Sequence, residues 1–220
     1  MTVKDEDIHA CIRILKREIR RWKEPVVGVV AKASRDPFQI LISTVLSLRT
    51  KDQTTADASV RLFRLATTPR TMLGLSRRTI ERAIYPVGFY RTKARHIHEI
   101  CRDLLARYRG KVPDEIDELL TLKGVGRKTA NLVVTLGFRK PGICVDIHVH
   151  RISNRWGYIR TTTPAQSEEI LRRKLPGRYW LIYNDLLVPY GQNLCTPVSP
   201  HCSQCKLARY CEQAGVGTSR

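Results

Sequence analysis

Long apolar runs are missing from this chain. The N-terminal stretch MTVKDEDIHACIRILKREIRRWK is broken by charge throughout and lacks the apolar centre of a signal peptide. No later run is long enough to cross a bilayer, so a cytoplasmic protein with no membrane partner is expected. Acidic residues are also scarce: 20 Asp and Glu stand against 39 Lys and Arg, a formal net charge of +19. That balance points to a polyanion partner, because each cation set near a phosphate releases condensed counterions. Strand signals are weak, and low-complexity segments and internal repeats do not stand out. What remains is 220 residues with 42% hydrophobic content, enough for one large domain or two small ones with real cores.

Nearly every segment reads as helix, and the fold class is all-α. Residues 6–23 place Ile8, Ile12, Leu15, Ile19 and Trp22 at helical spacing, and Pro25 stops this helix. An apolar helix follows over 37–48, then a second in DQTTADASVRLFRLA, while Pro69 and Ser76 each begin a shorter one. RTKARHIHEICRDLLARYRG is a longer helix closed by Gly110, burying Ile97, Ile100, Leu104 and Leu105. After Pro113, Ile116, Leu119 and Leu120 give the stripe of a short helix.

That short helix runs into LTLKGVGRKTAN, which raises an electrostatic question. A helix N-terminus carries partial positive charge, yet Arg127 and Lys128 sit where the next helix begins. Gly124 and Gly126 allow a tight turn and leave amides uncovered by side chains. Together with the first N–H groups of the helix they make an anion site suited to phosphate. The stretch from Leu122, Lys123, Gly124, Val125 and Gly126 to Arg127 therefore reads as a helix-hairpin-helix that holds a DNA backbone without reading sequence. The plain alternative is a helix connection with a glycine C-cap. On a helical wheel over 128–138, Ala130, Val133 and Val134 share the core face, and Lys128, Asn131 and Thr135 lie opposite. The helix N-terminus and Arg127 both disfavour a charged amine on Lys128, fitting it to attack a sugar C1′ or a carbonyl and form a Schiff base.

Further on, GICVDIHVHRISNRWG places Asp146 one residue before a helical stripe of Val149, Ile152 and Trp156. Asp146 should cap that helix, and the same carboxylate could stabilise an oxocarbenium-like sugar as a base departs. No third ligand accompanies His148 and His150, so both read as surface or structural residues, with His148 a candidate to support the site.

Seven cysteines in a cytosolic chain argue for metal or redox chemistry rather than disulfides. Cys11, Cys101 and Cys144 are scattered and read as small core residues. Cys195, Cys202, Cys205 and Cys211 form C-x6-C-x2-C-x5-C, a strong metal signal. Zinc and a [4Fe–4S] cluster both take four thiolates, and spacing leaves both open.

LKGVGRKTAN, VDIHVHRISNR and the cysteine tail, with VLSLRTKDQTT and VGFYRTKARHI, together resemble the endonuclease III family of the helix-hairpin-helix DNA glycosylases. The resemblance covers nearly the whole chain. It implies a six-helix domain over 30–136 carrying the hairpin, and a second lobe of 1–29 plus 137–220 with a [4Fe–4S] cluster on the four cysteines. Double-stranded DNA with damaged bases or abasic sites would lie in the groove between them. Lys128 would be the nucleophile of a bifunctional glycosylase and abasic-site lyase acting on oxidised pyrimidines and cutting the strand by β-elimination, with Asp146 the catalytic aspartate. Arg49 and Phe89 match the side chains that fill the gap left by the flipped nucleotide. The protein would act as a monomer, with the nucleoid.

Three departures matter. Arg49 replaces the glutamine of bacterial prototypes, Lys123 stands where proline is common, and TPVSPH lacks the cations some relatives aim at phosphate. His201, Lys206 and Arg209 are the candidates to compensate. The rival readings are a mismatch glycosylase for T or U opposite G, which typically has tyrosine or serine at position 128, and a non-catalytic DNA-binding module stapled by zinc.

Overall fold

The computed structural model describes residues 2–22, 27, 28, 30, 34 and 36–220. The expected stop at Pro25, and residue 29 at the expected domain boundary, lie outside the described residues. Among those described there are helices and turns and no strand. The chain divides into two compact units, one of Val26–Gly142 and one of Met1–Pro25 with Ile143–Arg220.

The continuous unit holds α2 (Pro37–Ser47), α3 (Asp52–Leu65), α4 (Pro69–Leu73), α5 (Arg77–Ile84), α6 (Tyr90–Tyr108), α7 (Ile116–Leu120) and α8 (Arg127–Leu132). Its starts are written in the sequence. Asp36 accepts from the Phe38 N–H ahead of Pro37, Thr68 and Thr71 form a capping box around Pro69, and Ser76 caps α5. Apolar nearly all round, α2 is buried from Phe38 to Leu46 except at Gln39, as the central helix of the unit should be. Helices α3, α6 and α8 pack on it. On α6 the inward stripe is Lys93, Ile97, Ile100 and Leu104, with Cys101 beside it; Leu105, expected inside, is only half-buried.

The second unit holds α1 (Ile8–Glu18), α9 (Ile147–Arg155), α10 (Pro164–Lys174), α11 (Trp180–Asn193) and the cysteine loop. The first helix is shorter than 6–23: it tightens into a 3-10 turn over Ile19–Arg21, and Trp22 is already extended. Helices α1 and α9 pack on α11, and Trp22 meets Tyr190 edge-on at 6.0 Å. Ile8, Leu15, Ile152, Tyr183 and Leu187 are completely buried in this core. Each aliphatic side chain so buried contributes about 1.5–3 kcal/mol. Cys11, Cys101 and Cys144 are buried, as expected of small core residues.

Candidate functional site

The hairpin follows from four residues. Leu122 and Val125 anchor it in the core, at 2% and 6% exposed, and the Val125 N–H donates to the Leu122 carbonyl at 3.1 Å. Between them Gly124 takes φ +78°, a left-handed backbone that costs other residues strain. A side chain there would run into His96. Burial, with help from Arg95 and Lys123, pushes the His96 imidazole below its usual range against an opposing pull from Glu99. Gly126 is the extended N-cap of α8; no side chain caps that turn, and a Cβ at 126 would meet open space. An oxyanion can therefore approach the first amides of α8, with Lys123 and Arg127 exposed on either side.

Lys128 sits half-buried in the first turn of α8. Its expected wheel neighbours do not share that position. Asn131 and Thr135, placed opposite the core face on the wheel, are buried, at 0% and 5% exposed. The chain returns over that side of the helix: a Cβ on Gly142 would lie 2.9 Å from Thr135 Cγ2 and 3.2 Å from Asn131 Oδ1. The helix also widens into a π turn over Val133–Gly137, a departure found often at functional sites.

In the same unit, Arg49 follows α2 and Phe89 precedes α6. Both take a left-handed backbone, φ +51° and +57°, which is uncommon outside glycine. The Arg49 guanidinium lies 5.8 Å from the centre of the Phe89 ring, and Phe89 is 63% exposed.

Asp146 and His148 belong to the other unit. Asp146 Oδ1 accepts from the His148 and Val149 N–H groups, both at 2.9 Å, so the expected cap is present and the carboxylate is fixed. Arg151 Nη2 reaches His148 Nδ1 at 3.1 Å and also donates to the Gly191 and Cys195 carbonyls at 3.0 and 2.9 Å. Arg151 thereby ties α9 to the end of α11. His150 pairs with Ser167 Oγ at 2.7 Å, and burial lowers its pKa.

Cys195, Cys202, Cys205 and Cys211 line one small cavity with Trp156, Tyr190 and Leu194. Polar groups reach the sulfurs from its walls: Arg155 Nη1 to Cys195 Sγ at 3.4 Å, the Gln213 N–H to Cys211 Sγ at 3.3 Å, and Tyr190 Oη beside Cys205 Sγ at 2.9 Å. Burial pushes the Cys211 thiol up to about 11 and raises that of Cys205. Among the described residues, no three His, Cys, Asp or Glu side chains converge tightly enough for a single metal ion.

Two buried cations were missed by sequence reasoning. Arg155, 7% exposed, donates to the Thr196 and Pro197 carbonyls at 2.7 Å each and so holds the start of TPVSPH. Lys93, 5% exposed, reaches from α6 to the end of α2. A signal for Lys93 was available: it continues the apolar spacing of Ile97, Ile100 and Leu104, where a lysine needs a special partner.

Residues 42–177 match the model of the HhH-GPD superfamily of base excision DNA repair proteins. The chain is 48% identical over 199 residues to endonuclease III of Thermotoga maritima, covering 90% of this chain and 89% of that protein. It is 39% identical to the chloroplastic endonuclease III homolog 1 of Arabidopsis thaliana, of whose length it spans 50%. Among solved structures, a trapped endonuclease III–DNA covalent intermediate matches with a TM-score of 0.84 and 34% identity, over 96% of this chain and 97% of that one. The chain belongs to the endonuclease III family of this superfamily and is an enzyme of base excision DNA repair.

Proposed function

We propose that Lys128 is the nucleophile of this enzyme and that the open hairpin beside it grips a DNA phosphate. The chain is a DNA N-glycosylase with abasic-site lyase activity. One observation carries the residue assignment: Lys128 sits in the first turn of a helix whose N-cap, Gly126, has open space where a side chain would stand and no side chain capping the turn. It is supported by the match of 96% of the chain to an endonuclease III trapped as a covalent DNA intermediate. The Lys128 amine attacks C1′ of the flipped nucleotide, the base departs with the bonding electrons, and ring opening leaves a Schiff base. Loss of a C2′ proton then expels the 3′ phosphate and cuts the strand. Asp146 stabilises the positive charge that develops on the sugar. Its backbone cap holds the carboxylate in place, so no reorganisation is needed as that charge appears.

Substrate is double-stranded DNA with an oxidised pyrimidine or an abasic site, handled by a single copy of the protein working with the nucleoid. Among the described residues no helix is long and apolar enough to cross a membrane. Arg49 and Phe89 fill the gap left by the flipped nucleotide. His148 supports the Asp146 end of α9. The test is borohydride reduction on an oxidised-pyrimidine duplex: wild type gives a covalent adduct and Lys128→Ala none. A lesion panel with every opposite base then reads the effect of Arg49.

Cys195, Cys202, Cys205 and Cys211 fit a [4Fe–4S] cluster. Four soft donors line one cavity, and N–H groups reach their sulfurs. When bound it supplies a structural cross-link for the C-terminal loop.

A further inference from the structure

A single buried ammonium joins the two tips that carry Arg49 and Phe89. Lys93 Nζ donates to the Leu46 carbonyl at 2.8 Å, the Leu48 carbonyl at 2.5 Å and Thr50 Oγ1 at 3.1 Å. Its three protons meet three acceptors, so the buried cation is fully satisfied. Leu46 and Leu48 lie where α2 ends and its last carbonyls lack helical partners, so Lys93 caps that helix from α6.

The same contacts reach the second tip. Thr50 Oγ1 also accepts from the Gly88 N–H at 3.2 Å. A Cβ on Gly88 would lie 2.6 Å from the Arg49 carbonyl oxygen, so only glycine lets the two backbones come this close. Lys93, Thr50 and Gly88 thus lock together the residues on either side of Arg49 and Phe89, both in a left-handed backbone. Burial pushes the Lys93 ammonium down to about 8.

We infer that Lys93 is a positioning residue: it clamps the Arg49 and Phe89 tips into one rigid wedge, so that both enter the stack together when a nucleotide is flipped. The inference rests on the gap-filling reading of Arg49 and Phe89. Opening a stack needs both side chains placed at once, and two loose tips would each lose conformational freedom on insertion.

The test compares single-turnover rates on a duplex holding one oxidised pyrimidine and on a single strand holding one abasic site, where no stack is opened. Lys93→Met keeps the stem and removes the ammonium. Its duplex rate should fall about tenfold or more, while the single-strand rate stays within about twofold. In a Phe89→Ala background the same change should add less than about twofold, since one tip is already gone. Lys93→Arg should restore part of the duplex rate. Equal losses on both substrates, or an undiminished effect in the Phe89→Ala background, would overturn the positioning role. If Lys93→Met fails to fold, Thr50→Val carries the same comparison, with a duplex loss of about threefold. Normal duplex rates in both Arg49→Ala and Phe89→Ala would remove the wedge reading and this inference together. Impaired tips with a normal Lys93→Met would remove this inference alone.

Discussion

Asp146 carries two assignments, helix cap and catalytic carboxylate, and two substitutions separate them. Asp146→Asn keeps a cap, since asparagine caps about as well as aspartate. Oδ1 can still accept the two N–H bonds now formed at 2.9 Å. What it loses is a negative charge at the start of a nine-residue helix, about 0.3–1 kcal/mol. Asp146→Ala loses the cap as well, at a total cost of about 1–2 kcal/mol. Catalysis should divide differently. Both variants lack the charge that meets the developing sugar cation, and both should lose about 100-fold to 1000-fold in base release. Urea denaturation and single-turnover base release on the same preparations give the two scales. If Asp146→Asn releases base at the wild-type rate, the carboxylate is only a cap. If it is as unstable as Asp146→Ala, the cap itself has been misread.

Three further outcomes follow from particular residues. Gly124→Ala forces a side chain onto a φ of +78° and against His96; it should cost about 1–2 kcal/mol in denaturation and weaken duplex binding in a titration, whereas unchanged binding would mean the turn is not a phosphate grip. Lys93 should give stability a distinctive pH slope: folded at about 8 against an ordinary 10.5, it sheds its proton before the unfolded chain does. Between those values the unfolded chain holds more protons, so stability relative to Lys93→Met should rise from pH 8 to 10 and stay flat below; a difference flat across the whole range would refute it. The purified protein should be brown and carry about four irons per chain, and Cys202→Ser should lose both; a colourless protein with one zinc would replace the cluster assignment.

The helical fold was legible because apolar spacing, proline and capping residues all agreed. The apolar run expected over 37–48 is helical from Pro37 to Ser47, and Pro69 and Ser76 mark the starts of the two shorter helices as expected. The hairpin and the Asp146 cap were legible for the same reason: each is built from neighbours in sequence. Burial of Asn131 and Thr135 was not, because what covers them is the chain returning near Gly142. Lys93 and Arg155 escaped because their partners are backbone carbonyls more than forty residues away, and a carbonyl leaves no mark on sequence.

In the proposed reaction one amine, that of Lys128, bonds to the sugar. Borohydride reduction on a duplex bearing one oxidised pyrimidine, followed by proteolysis and mass spectrometry, tests it directly. A reduced sugar adduct is expected on the peptide containing Lys128. An adduct on Lys93, on the N-terminal amine or on any other lysine would contradict it, as would an undiminished adduct in Lys128→Ala.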